Sequence, residues 1–307
     1  MQNSLLEGDK KYLKGDSDLP YTKTRNYMEL NKSVVIEPKY LDLFCDYLYK
    51  NMGIYIEQSK KGLLAQKLTK LMNEGGILNS GEYYHFIVSP PISEKQKTLK
   101  NKFIDTVTVH KTNFFRENNH FEFIQRNIAK IIEESPTLKF TNELRVWSSA
   151  CSTGEEAYTL AMLFKEILPP GMRAKILATD ISPDSIRRAM NGVYKFGPED
   201  NITNYYINKY FNKTGDSWAI SDEIKNNVTF RLFNLMETFP FKNPFDIIFC
   251  RNVMIYFDKE VQEKLVNNFY NSLSKNSLLF IGHSESLIQI KHQFTYHEPT
   301  IYKKVSK

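Results

Sequence analysis

From Pro38 onward the apolar residues recur at helical spacing. Leu41, Phe44, Cys45 and Leu48 share one face, and after Gly53 and a short apolar stretch Leu64, Leu68, Leu71 and Met72 share another. Two amphipathic helices are predicted. The second carries Lys60, Lys61, Lys67 and Lys70 off its apolar stripe and ends over residues 73–76, where glycine suits a helix C-terminus. A third helical piece, GEYYHFIVSP, stops at Pro90 and Pro91, and a fourth runs through SEKQKTLKNKFIDTVT. Ahead of these helices, residues 1–34 mix charges with Gly, Asp, Ser and Pro and hold no period, which predicts a flexible extension.

Beyond residue 140 the pattern changes to short apolar runs bounded by turn residues. RVWSSA, AKILATD, NVTFRLFNL, FDIIFCRN and SLLFIGHSE read as strands separated by helical or irregular stretches, the texture of βαβ units and a mostly parallel sheet. A small helical domain over 35–108 followed by a doubly wound α/β domain over 109–307 is therefore expected. The polar and aromatic stretch from about Tyr194 to Asn227 breaks the rhythm and reads as an insertion with a small antiparallel patch.

Composition sets bounds on function. With 307 residues, 41 Lys plus Arg against 35 Asp plus Glu, and 41% hydrophobic residues, the chain is mildly basic and large enough for more than one core. No window approaches the roughly 18 apolar residues of a membrane span, and MQNSLLEGDK lacks the features of a secretory leader, so a cytoplasmic protein is expected. Cys45, Cys151 and Cys250 are scattered and in no metal-ligand spacing; reduced thiols and no metal centre are expected.

Four segments carry candidate chemistry. In RVWSSACSTGEEAYTLAMLF a strand enters a tight loop at Ser152, Thr153 and Gly154 and then a helix, which places the loop at the carboxyl edge of the sheet with backbone N–H groups aimed at a ligand. It lacks the glycines of a dinucleotide fingerprint. Glu156 can receive a ligand's ammonium group; alternatively Glu155 and Glu156 complement the helix dipole. Asp180 ends the strand of KILATDIS, where an acid accepts from ribose hydroxyls, with helix N-capping as the alternative, a role Ser182 already fits. A ribose acid without a pyrophosphate loop favours a nucleoside cofactor of the S-adenosylmethionine type. FDIIFCRNVMIYFD brings Arg251, Asn252 and, one helical turn on, Tyr256 to the same edge; packing and capping are the alternative. TVTVHKTNFFRENNHFEFI joins the two domains, with its phenylalanines in the core and Arg116 among them, a guanidinium placed to meet an anion.

Taken together, KTNFFRE, VWSSACSTGEEAY, ATDIS, FDIIFCRNVMIYFD and GHSES resemble the chemotaxis-receptor methyltransferase (CheR) family, from about residue 38 to residue 303. The resemblance implies a Rossmann-like S-adenosylmethionine-dependent methyltransferase domain with a small antiparallel β insertion at about 194–227, preceded by a small all-helical domain. It implies transfer of a methyl group from S-adenosyl-L-methionine to glutamate carboxylates of methyl-accepting chemotaxis receptors, with S-adenosyl-L-homocysteine as product. The cofactor contacts it implies fall on Thr112, Arg116, Glu156, Asp180, Asn234, Leu235, Arg251 and Asn252. Arg116 and Tyr256 fall beside the transferring methyl. His110 stands where the family often has Asn, and the Lys60, Lys61, Lys67 and Lys70 face resembles the family's receptor-docking helix, a solvated face being the alternative. The cytoplasmic domains of receptors are the implied partners, with no nucleic acid, membrane association only through receptors, and a monomeric enzyme. On the residues alone, a nucleic-acid or small-molecule methyltransferase and a non-catalytic binding module remain alternatives. Dispersed basic residues and the absence of an NPPY-like motif weigh against the first.

Overall fold

The computed structural model describes residues 34–305, and the expected extension over 1–34 lies, apart from Val34, outside them. Four helices come first: α1 (Pro38–Met52), α2 (Lys61–Gly75), α3 (Ser80–Val88) and α4 (Glu94–Val107). Their boundaries follow local chemistry. Proline opens α1 and left-handed glycines close α1 and α2, at Gly53 and Gly76. The Asn79 side chain caps α3 and that of Ser93 caps α4. The expected stripe of α2 is buried in full, whereas on α1 only Phe44, Leu48 and Met52 are, with Leu41 and Cys45 half-buried.

Two further helices, α5 (Asn119–Glu134) and α6 (Pro136–Thr141), lead into β1 (Glu143–Ser148). There follow α7 (Glu155–Ile167), β2 (Arg173–Asp180), α8 (Pro183–Asn191), β3 (Val193–Tyr194), α9 (Asn204–Tyr210), β4 (Phe211–Thr214), β5 (Ser217–Ile220), α10 (Asp222–Lys225) and β6 (Val228–Leu232). The chain closes with β7 (Phe245–Cys250), α11 (Lys259–Ser272), β8 (Leu273–Ile281), β9 (Thr295–Glu298) and β10 (Ile301–Lys303). The seven-stranded sheet has the order β6-β2-β1-β7-β8-β10-β9. Its first five strands are parallel, and β10 and β9 are added antiparallel at the edge. The expected insertion is a second sheet, β3-β5-β4, antiparallel throughout.

The strand order reverses between β1, which is followed by β2 on one side, and β7 on the other. Ligands bind at such a point, outside the carboxyl ends of the strands. All six residues of β7 are buried, as expected of a central parallel strand covered on both faces. Trp147 anchors one layer: its indole N–H donates to Thr179 Oγ1 at 2.9 Å, and the rings of Phe233, Phe239, Phe241, Phe245 and Phe269 surround it. The buried Asp246 carboxylate is satisfied by Ser135 Oγ (2.6 Å) and the Arg145 N–H (2.8 Å). No helix among the described residues is long and apolar enough to cross a membrane.

Candidate active site

At the carboxyl ends of β1, β2, β6 and β7 lies a cavity with about 1050 Å³ of empty space, its open mouth included. Thr112, Arg116, Glu156, Asp180, Asn234, Leu235, Arg251, Asn252 and Tyr256, all expected from sequence, line this one cavity. The helical part supplies Met52, Ile54 and Val107 to its wall. Three bonds hold that wall in place: Asn234 Nδ2 donates to the Asn51 carbonyl (2.6 Å), Tyr55 N–H to the Tyr256 carbonyl (3.1 Å), and Tyr49 Oη to Asp258 (2.6 Å).

Asp180 is buried, and its oxygens accept the N–H groups of Ser182 and Ser152, each at 2.9 Å. Burial pushes its carboxyl above the ordinary range, opposed by these N–H bonds. Ser182 caps α8 through Ser185 N–H (2.9 Å), so Asp180 is left for the cavity. The loop after β1 departs from expectation. The N–H groups of Ser149, Cys151, Ser152 and Gly154 are spent on Phe249 O, Thr179 O, Asp180 and Cys151 O, so they form no anion cradle. Gly154 adopts φ +99, and a Cβ there would lie 2.8 Å from Ala189 Cβ.

Arg251 delivers something other than a free donor to the edge. Its side chain is 2% exposed; Nη1 donates to Glu156 (3.1 Å), Nε and Nη2 donate to Glu117 (3.3 and 3.0 Å), and Nη2 also reaches the Arg116 carbonyl. Glu156 also accepts from Ser148 Oγ at 2.6 Å, so its carboxylate serves more than the helix dipole. Burial raises the Glu156 carboxyl, against the pull of Arg251. For Glu117 burial also acts upward, but Arg251, with bonds from Asn252 Nδ2 (3.1 Å) and His283 N–H (3.3 Å), brings the carboxyl below its ordinary value. Glu117, His120 and His283 offer ligand atoms within 4.8 Å of one another. Both Glu117 oxygens are already committed to N–H donors, so the cluster reads as an ion-pair network. Burial pushes His120 down to about 3, which keeps it neutral.

Sequence reasoning singled out Tyr256 one helical turn beyond Asn252. The structure instead puts Asn252 at φ 58 and Tyr256 at the end of a short 3-10 turn, Met254–Tyr256. The residue holding this turn was not singled out. Glu285, buried, accepts N–H groups from Gly282 (2.6 Å), Met254 (2.7 Å) and Asn252 (3.0 Å). The only sequence signal for it was its place in GHSES, an acid just past an apolar strand at the site's edge. Burial raises the Tyr256 phenol while the Arg116 charge opposes it, so it remains a hydroxyl donor at neutral pH. Arg116 is tethered by Nη1 to the Lys111 carbonyl at 2.7 Å.

Residues 110–303 match the family described as CheR methyltransferase, SAM binding domain, and residues 39–108 the one described as CheR methyltransferase, all-alpha domain. The chain belongs to the CheR methyltransferase family. It is 38% identical to the chemotaxis protein methyltransferase of Borreliella burgdorferi, over 91% of this chain and 99% of that protein. To that of Escherichia coli K12 it is 30% identical, over 93% of this chain and 98% of that protein. The α/β part of this CheR chain is thus a methyltransferase domain that binds S-adenosylmethionine. The cavity's chemistry is compatible with that cofactor: two acids, Asp180 and Glu156, stand beside apolar walls from Phe121, Phe233, Leu235 and Val253.

Proposed function

We propose that this protein is an S-adenosylmethionine-dependent protein-glutamate O-methyltransferase acting on the cytoplasmic domains of methyl-accepting chemotaxis receptors. The observation that carries the reading is the pairing of Arg116 and Tyr256 on the wall of the cavity that Asp180 and Glu156 also line. Asp180 takes the cofactor's ribose hydroxyls and Glu156 its ammonium group, while Asn234 and Leu235 flank the adenine. Thr112 and Asn252 complete the contacts. Arg251 holds Glu117 and Glu156 in place from behind. The relatives' names point to chemotaxis, and the receptor is the substrate class that fits a helical docking part.

When bound, the cofactor supplies a methyl group already activated by a sulfonium. A glutamate side chain is already an anion at neutral pH, so no group of the protein has to remove a proton. The protein's work is alignment and exclusion of water. Arg116 attracts the acceptor carboxylate, Tyr256 donates a hydrogen bond that fixes its angle, and Met52, Ile54 and Val107 close the wall against solvent. The test is transfer of labelled methyl from S-adenosylmethionine to membranes carrying methyl-accepting receptors, followed by mild base. Base-labile label on receptor protein supports the reading. Cofactor binding with no label on any receptor refutes the substrate assignment.

A further inference from the structure

His110 lies in the linker ahead of Thr112, lines the cavity, and has both ring nitrogens engaged by protein. Its tautomer follows from its neighbours. Thr108 Oγ1 gives its single proton to the Ile104 carbonyl (2.7 Å), so its 2.7 Å contact with His110 Nε2 requires that Nε2 carry the hydrogen. In the neutral ring Nδ1 is then the acceptor for the Ser185 hydroxyl at 3.0 Å. The His110 carbonyl accepts from Ser152 Oγ at 3.2 Å. Ser185 is bound through its N–H to Ser182 Oγ, and Ser182 and Ser152 are the two residues whose N–H groups hold the Asp180 oxygens. Ser182 Oγ in turn donates to Asp105 of α4. His110 therefore grips both flanks of the Asp180 carboxylate from the end of α4.

We propose that His110 is a positioning residue that sets the Asp180 carboxylate for the cofactor through Ser185 and Ser152, without its ring touching the cofactor. The proposal rests on the reading that Asp180 takes the cofactor. Geometry supplies a discriminating set of variants, because an Asn amide branches at the distance of Nδ1 and a Gln amide reaches to that of Nε2. Calorimetric titration of the full chain with S-adenosylhomocysteine should show His110→Ala and Ser185→Ala each weakening binding about five- to tenfold, the scale of one buried hydrogen bond. The double variant should be no weaker than either single one, because both remove the same link. His110→Asn should retain affinity within about twofold, and His110→Gln should behave as His110→Ala. Turnover at saturating cofactor should change little in any of them, since Arg116 and Tyr256 are untouched. If Ser185→Ala binds normally while His110→Ala does not, or if neither weakens binding, the proposal is overturned. Asp180→Ala separates the two levels: unchanged affinity there overturns the Asp180 reading itself, whereas a loss confined to Asp180→Ala overturns only the role of His110.

Discussion

Replacing Arg251 by Met tests whether one buried guanidinium sustains the acidic floor of the site. The side chain is nearly inaccessible, and it also lies over the rings of Phe121 and Phe249, with centroids at 5.5 and 5.8 Å. Met fills the space but leaves Glu117 and Glu156 facing each other without a countercharge. Removing one partner of a buried ion pair costs about 3–5 kcal/mol, which in a domain of this size lowers the melting temperature by on the order of 10 °C. The pH dependence follows from the carboxyl shifts. In the parent, Glu117 is held below its ordinary value, so its contribution is present above the unfolded value and is lost as pH falls through the folded one. In the variant, burial acts unopposed and raises the carboxyl, so the penalty is largest when it is charged and is relieved on acidification. Thermal unfolding of parent and Arg251→Met at pH 8 and at steps down to pH 5 should show a gap that narrows as pH falls, and Arg251→Met/Glu117→Gln should recover part of it. A gap below about 1 kcal/mol at pH 8, or one that widens in acid, refutes the reasoning.

Arg116→Ala should cut turnover by about a hundredfold while S-adenosylhomocysteine affinity falls by no more than a few fold, if its main partner is the acceptor carboxylate; equal losses in both would reject that role. Glu285→Gln puts an amide NH₂ against backbone N–H groups of Gly282 and Asn252 or of Met254, and should lower stability by about 2 kcal/mol and turnover along with it, read by urea unfolding and methyl transfer. Gly154→Ala combines a left-handed backbone with a Cβ 2.8 Å from that of Ala189, and should cost about 2 kcal/mol and weaken cofactor binding; an unchanged melting temperature would contradict it.

The helical stripes and the apolar strands were legible because burial in each element is governed by its own period. Leu64, Leu68, Leu71 and Met72 form one buried face, and β7 is buried throughout, apolar but for Asp246, because both of its faces are covered. Less was legible where the signal is mixed or tertiary. The segment around Phe121 read as a linker, yet it opens α5, whose Phe121, Ile124, Ile128 and Ile131 do recur at helical spacing behind the polar Asn118 and Asn119. The edge hairpin β9-β10 went unread, since β9 is mostly exposed and carries no apolar run. The residue types at the strand ends singled out side chains that line one cavity, but not the partners of each donor. Arg251 and Asn252 were read as facing a ligand, and both turn side-chain donors toward Glu117, 134 or more residues away. Of the lysine face, Lys61 bonds Asp42 (2.6 Å), Lys67 the Thr106 carbonyl (2.7 Å), and Lys60 and Lys70 pair with Glu57 (3.4 Å) and Glu74 (3.9 Å), so all four of its charges have partners within the helical part itself.

The cavity is not the property of the α/β part alone. Gly53 turns the chain out of α1 at φ +71, and a Cβ there would sit 2.6 Å from Met236 Sδ and 3.2 Å from the Phe257 ring. The neighbouring Met52 and Ile54 can therefore reach the cavity only because residue 53 has no side chain. The same stretch is bonded to two segments that line the cavity, through Asn51 to Asn234 and through Tyr55 to Tyr256. Under the proposed function, a docking surface on the helical part thus lies one short strap away from the Tyr256 carbonyl. Under that proposal, a displacement of α1 on docking would reach both Asn234 and the Tyr256 turn through these bonds, and by linkage cofactor binding would then influence docking to the same extent.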